Sequence, residues 1–131
     1  MATGTLDLGP LRRSLSALRK VTRMDLDDDV VRDAAVKRFE FTYEMAWKMM
    51  RRHLQWTGMQ ELDNLPRREL FRIAARASLI DDPSPWFAYH EARNLTSHTY
   101  DEVSARKVTA LLGAFVKDTA LLLRRLKEHH A

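Results

Sequence analysis

Apolar side chains recur along this chain at intervals of three and four, the period of helices that each bury one face. The spacing predicts a first helix over residues 10–24, with Leu11, Leu15, Leu18 and Val21 in one stripe and Pro10 suited to the opening turn. An acidic connection over 25–29 follows, and its last members can cap the next helix. The second helix is the longest, over 30–57, and Gly58 suits the left-handed residue that ends it. At ~100° per residue, Phe39, Tyr43, Ala46, Trp47, Met50 and Leu54 fall on one face of it. Past Pro66 a short third helix turns Leu70, Phe71, Ala74 and Leu79 inward. Residues 81–85 read as a turn and a start signal, with Ser84 as cap and Pro85 in the first position. The fourth helix is expected from Trp86 to about Tyr100. Asp101 then caps a fifth, where Val108, Leu111, Leu112, Phe115, Thr119, Leu122 and Leu126 recur at helical spacing. His129 and His130 fall in an end expected to fray, and no role is assigned to them.

The expected fold class is therefore all-α, about five helices in a single domain over 1–131. Composition agrees: 45% hydrophobic and 31% charged residues suit a globular chain, neither disordered nor a disulfide scaffold. The absence of Cys removes thiol catalysis and Cys-ligated zinc, and fits a reducing compartment or simple indifference to redox state. Residues 1–7 lack a basic region followed by an apolar run, and no stretch of ~18 apolar residues appears, so a cytoplasmic protein with no membrane span is expected. The net charge of +4 gathers in Arg12-Arg13, Arg51-Arg52, Arg67-Arg68 and Arg124-Arg125, which suits phosphate-bearing partners and is equally common on plain hydrated surfaces. On the second helix Phe41, Met45 and Met49 carry apolar character well around the cylinder. A helix needs that when it is central or meets a second subunit, so a homodimer is a natural inference.

The chemistry concentrates on the fourth helix. With Arg93 at zero on a helical wheel, Ala88, Ala92, Leu95 and Thr99 share one side, which is expected to face the core. Tyr100, Trp86, Ser97, His90, Asn94 and His98 occupy an opposite arc of about 160°. Asn94 and His98 are one turn apart, and a long Arg93 can bend toward the same pocket. This set suits phosphodiester cleavage in RNA: an imidazole moves a proton at the 2′-hydroxyl or the leaving oxygen, Arg93 stabilises charge on the phosphate, and Asn94 orients either one. A two-fold partner would bring a second Arg and His into the cleft. No metal-ligand spacing appears, and no cofactor is called for. As a bare pattern, one Arg, one His and one Asn on a helix are also ordinary surface decoration. On the second helix Glu40 and Glu44 stand four apart, with Lys37, Lys48 and Arg51 in the same sector. One reading is a solvated face laced with pairs such as Glu44 to Lys48; the sharper one is a carboxylate that fixes Arg93 from across the helix pair.

Residues 37–48 (Lys-Arg-Phe-Glu-Phe-Thr-Tyr-Glu-Met-Ala-Trp-Lys), the turn 79–82 (Leu-Ile-Asp-Asp) with Trp86, and residues 93–102 (Arg-Asn-Leu-Thr-Ser-His-Thr-Tyr-Asp-Glu) resemble, in that order, the HepT group of the HEPN superfamily, also described as nucleotidyltransferase substrate-binding proteins. The resemblance spans most of the chain. It implies an up-and-down helical-bundle homodimer that is the toxin RNase of a toxin–antitoxin pair, independent of metal. The family motif of Arg, four residues, His, one residue, Tyr is met at Arg93, His98 and Tyr100. The implied partner is a minimal nucleotidyltransferase antitoxin that silences the toxin by attaching AMP to the motif tyrosine, here Tyr100. An adenylated phenol beside the cleft would block RNA sterically and electrostatically. Ala77-Ser78 stand before Leu79 where the family commonly has Gly, which bears on the local turn.

The candidate residues are thus Arg93 and His98 as catalytic, Asn94 in support, Tyr100 for modification, and Glu40, Glu44, Lys48 and Ser97 as possible supporting groups. A non-catalytic subunit that presents a substrate or nucleotide to a separate nucleotidyltransferase is the alternative. A purely structural helical dimer would leave the polar arc unexplained.

Overall fold

The computed structural model describes residues 4–130, and these form six α-helices and one short 3₁₀ turn. They are α1 (Gly9–Thr22), α2 (Asp29–Trp56), α3 (Arg67–Arg76), α4 (Pro83–Leu95), the 3₁₀ turn (Thr96–His98), α5 (Glu102–Ala110) and α6 (Leu112–His130). No strand occurs among the described residues, and no helix among them is long and apolar enough to cross a membrane.

Helix α2 is the strut of the bundle. Asp28 caps it by accepting the Val30 and Val31 N–H groups, and its buried face carries Ala35, Phe39, Tyr43, Ala46, Met50 and Leu54. Trp47, expected in that stripe, is only half-buried. Helix α1 lies antiparallel along α2: Arg38 reaches the Ala17 carbonyl at mid-length, and Trp56, at the far end of α2, donates to the Gly4 carbonyl. Helices α5 and α6 run in the direction of α2, since Arg106 bonds Asp27 at one end and His130 meets His53 at the other. Helix α4 runs against both, with Tyr89 bonded to Asp118 and His90 to Tyr43. The helices share one apolar core. At its centre Phe115 makes edge contacts with Phe39, Tyr89 and Trp86 at centroid distances of 4.8 Å, 5.0 Å and 5.9 Å. Each such pair contributes about 0.5–1.5 kcal/mol beyond simple burial.

Four expectations are corrected. Helix α4 begins one turn early, because Asp82 in extended geometry accepts the Ser84 N–H and Pro83 fills the opening position; Ser84 and Pro85 are inside the helix. Its buried side is Trp86, Tyr89 and Ala92, whereas Ala88 is exposed, since two aromatic rings remove far more apolar surface from water than an alanine does. The fifth helix is two: Leu111 leaves the helical path beside Gly113, the weakest helix former of that stretch. Finally, the C-terminal histidines do not fray. His130 is buried; its Nδ1 accepts the Leu6 N–H and its Nε2 lies 2.8 Å from His53 Nδ1, while Trp56 and His129 pack against the pair.

The ends of α2 and α3 close alike. Gly58 N–H bonds Gln55 O and Met59 N–H bonds Leu54 O; Ser78 N–H bonds Ala75 O and Leu79 N–H bonds Ala74 O. Both are Schellman closures, which need a left-handed residue. The backbone φ is 108° at Gly58 and 64° at Ser78. The position where the sequence departs from Gly is therefore one where a Cβ is strained. Ser78→Gly is expected to stabilise the fold by about 1 kcal/mol in urea denaturation. Acid acts on the last turn of α2 as well. Burial first, then His129 and His130, lowers the His53 pKa to about 4, so unfolded His53 takes up a proton that the folded chain refuses. Stability is full above pH 6.5 and declines as pH falls from there toward 4. The loss is at most about 3 kcal/mol, and thermal melts across that range, compared with His53→Asn, measure it.

Candidate functional site

The site is built where α4 ends early. Thr96 turns its hydroxyl back onto the Arg93 carbonyl at 2.6 Å, Ser97 onto Asn94 O at 3.1 Å, and Thr99 onto Thr96 O at 3.2 Å. Hydroxyls thus satisfy carbonyls that a continuing helix would have used, and the chain tightens into the 3₁₀ turn instead of running to Tyr100. The wheel that placed Asn94 directly below His98 therefore does not hold over this stretch. Asn94 is exposed, and its side chain bonds neither Arg93 nor His98. Ser97 serves the turn.

Arg93 points across to α2. Its Nε donates to Glu44 Oε1 at 3.2 Å and its Nη1 to Thr96 Oγ1 at 3.0 Å. A guanidinium has five N–H groups, so the remaining ones are left to face an anion. The cross-helix carboxylate is Glu44. Its second oxygen accepts the Trp47 indole N–H at 3.1 Å, so Glu44 does not pair with Lys48, and Lys48 lies instead against the Trp47 ring. Glu40 does not reach Arg93; with Asp33, Val36, Lys37, Thr99 and Tyr100 it lines a cleft of about 340 Å³. His98 is exposed and has no hydrogen-bond partner among the described residues, and its ring lies 6.1 Å from that of Tyr100. Tyr100 is 88% exposed. Arg93, His98 and Tyr100 thus flank the short turn that follows α4, and among the described residues the last two side chains stand exposed.

Sequence reasoning missed a further network. The Tyr43 hydroxyl sits 2.8 Å from His90 Nδ1 and at the edge of bonding range, 3.5 Å, from Arg67 Nη1. Burial pushes the Tyr43 phenol up and keeps it protonated against the opposing pull of Arg67, so it donates to an unprotonated His90 Nδ1. Burial, followed by Arg67 and Arg68, lowers the His90 pKa and favours that neutral ring. Arg67 itself stacks on Trp47, 3.5 Å from the ring centroid. The visible signal was Trp47, three residues past Glu44 and so on its helical side. Among the described residues no three His, Cys, Asp or Glu side chains gather as metal ligands would.

The family described as nucleotidyltransferase substrate binding protein like matches residues 6–128. The chain belongs to that family. A Haemophilus influenzae relative, described as probable ribonuclease HepT, is 36% identical over 112 residues, covering 81% of this chain and 77% of that protein. Among solved structures, a Haemophilus influenzae protein described as revealing the fold of a substrate binding domain of a nucleotidyltransferase superposes with a TM-score of 0.85 at 32% identity, over 92% of this chain and 99% of its own. A Thermus thermophilus protein superposes with a TM-score of 0.79 at 27% identity, over 88% of this chain and 98% of its own. The resemblance read from the motifs at 37–48, 79–86 and 93–102 is the family that these matches identify.

Arg93 and Glu44 are each about one-third exposed, so solvent screens their attraction. A double-mutant cycle of Glu44→Ala and Arg93→Ala in urea is expected to give a coupling of about 0.2–1 kcal/mol, marking the pair as one that orients Arg93 more than it stabilises the fold.

Proposed function

We propose that this chain is the toxin RNase of a toxin–antitoxin pair, cutting RNA without a metal at a cleft shared by two copies. The observation that supports the reading is the turn after α4, which Arg93, anchored by Glu44, and the exposed His98 and Tyr100 flank. The name of the Haemophilus influenzae relative supports the same activity. In this reaction the 2′-oxygen of RNA attacks the adjacent phosphorus, the bond to the 5′-oxygen breaks, and a 2′,3′-cyclic phosphate and a free 5′-hydroxyl result. One His98 imidazole takes the 2′-hydroxyl proton and a second imidazole, from the other copy, returns one to the leaving oxygen. Arg93, held by Glu44, lends its free N–H groups to the charge on the phosphate oxygens. Asn94, exposed beside them, contacts the substrate instead of the catalytic pair.

A two-fold arrangement also has a surface to use. Phe41 is 58% exposed on α2, and with Ala17 and Met45 it lines an apolar groove of about 670 Å³ beside Glu44. Pairing through this face covers Phe41 and brings two such turns together. The partner nucleotidyltransferase would attach AMP to Tyr100, whose hydroxyl is freely accessible, and the adduct would fill the approach to His98.

The second reading, a non-catalytic subunit presenting substrate to a nucleotidyltransferase, is favoured by the description of the family and of the solved Haemophilus influenzae structure. Expression of wild type and His98→Ala in a host lacking the partner separates the two. Growth arrest with RNA cleavage by the wild type alone is expected; healthy cells with intact RNA from both would overturn the RNase. Incubation with the partner and ATP should add adenylate to the wild type and none to Tyr100→Phe, read by mass spectrometry. Phe41→Glu is expected to sediment as a monomer and to lose most of the cleavage activity.

A further inference from the structure

One indole on this chain is surrounded by cations. Arg67 Cζ lies 3.5 Å, Arg51 Cζ 5.1 Å and Lys48 Nζ 5.7 Å from the Trp47 ring centroid. An aromatic face attracts a cation, and one pair is ordinary packing. Three like charges around one ring repel one another, and the surroundings do little to offset them. Arg67 and Lys48 have no carboxylate partner among the described residues. Arg51 stands 3.9 Å from the well-exposed Asp63, beyond hydrogen-bond range, and its buried Nε has no hydrogen-bond partner. Glu44 is the carboxylate that touches this ring, and it is already shared with Arg93.

We propose that Lys48, Arg51 and Arg67, arrayed on Trp47, form a phosphate-binding extension of the site that holds the single-stranded RNA chain beyond the bond that is cut. The inference rests on the ribonuclease reading for its ligand. Its position follows from Glu44, whose two oxygens join the Trp47 indole to Arg93, so the array adjoins the guanidinium assigned to the reacting phosphate. Apart from the 3.5 Å approach of Nη1 to the Tyr43 hydroxyl, the Arg67 N–H groups have no partner among the described residues, which leaves them to grip phosphate oxygens. The cations therefore supply affinity and register without reading sequence. Arg68 and Arg72 on Phe87 are a neighbouring pair of the same kind, but both are matched by Glu91 and Glu69 and take no part.

The test uses the full chain carrying His98→Ala, so that RNA survives, and follows anisotropy of a labelled single-stranded RNA of mixed sequence across a salt series. Each phosphate contact on a single strand contributes about 0.7 to the slope of log affinity against log salt. Adding Arg51→Gln and Arg67→Gln is expected to lower that slope by about 1.4 and to weaken binding at least ~10-fold at low salt. Lys48→Gln, which removes no stacked group, should lower it by about 0.7 and serves if the double variant does not fold. Arg67→Lys should keep the slope and lose affinity, which a purely structural role of Arg67 would not produce. Slope and affinity unchanged in folded variants would overturn the proposal, as would absence of RNA binding by the parent. Binding that follows this pattern while wild-type protein leaves RNA intact would sink the ribonuclease reading and keep the phosphate site.

Discussion

The whole arrangement depends on how Phe115 is surrounded. Its ring touches Phe39 from α2 and both Trp86 and Tyr89 from α4, so three helices meet at one aromatic junction that water cannot enter. Because Trp86 and Tyr89 must point inward, the rotation of α4 about its axis is set. Ala92 then follows into the core, Arg93 comes to rest toward α2, and the residues after Leu95 are carried to the surface. The side chains at the end of α4 are thus oriented by the packing of two aromatic rings about two turns earlier, one of them also tied to Asp118 through its hydroxyl.

Much of this was legible in the residues. The stripes of α1, α2 and α3 are regular, and so their buried faces follow from spacing alone: Leu11, Leu15, Leu18 and Val21 are all buried, as are Phe39, Tyr43, Ala46 and Met50. Trp47 departs from that stripe because its N–H seeks Glu44 and its face is taken by Arg67. Helix α4 was harder. Its small residues suggested close packing on the core, yet area decides, and a wheel weights Ala88 and Trp86 alike. The early stop was hidden for another reason: Thr96, Ser97 and Thr99 are compatible with a helix interior, and only their hydroxyl bonds to carbonyls show the competition won by the turn. His130 was misjudged because its partners, Leu6 and His53, are remote in sequence, and no periodicity reports a contact between the two ends.

The candidate site itself was legible as a motif and not as a geometry. Arg93, His98 and Tyr100 were found by spacing and resemblance. That Arg93 is tied back while His98 is free, however, is a matter of three dimensions. For the proposed cleavage the asymmetry has chemical sense: a group assigned to hold a phosphate benefits from being pre-oriented, whereas a group assigned to pass protons needs room to approach two different oxygens. Glu44 serves the first requirement by tying Arg93 to α2.

The meeting of Leu6 with His130 beside the end of α2 also has a topological consequence. The two ends of the described chain lie together, so they could be joined by a short linker and new ends opened in a surface connection such as 57–66 with every helix kept in place. The junction sits near His53, whereas Tyr100 borders Val36 and Asp33 on the same helix. At the rise of an α-helix those two places are roughly 25 Å apart. A reporter or affinity handle inserted beside Leu6 or His130 would therefore occupy one pole of the bundle and leave the other, which Tyr100 borders, open to large ligands.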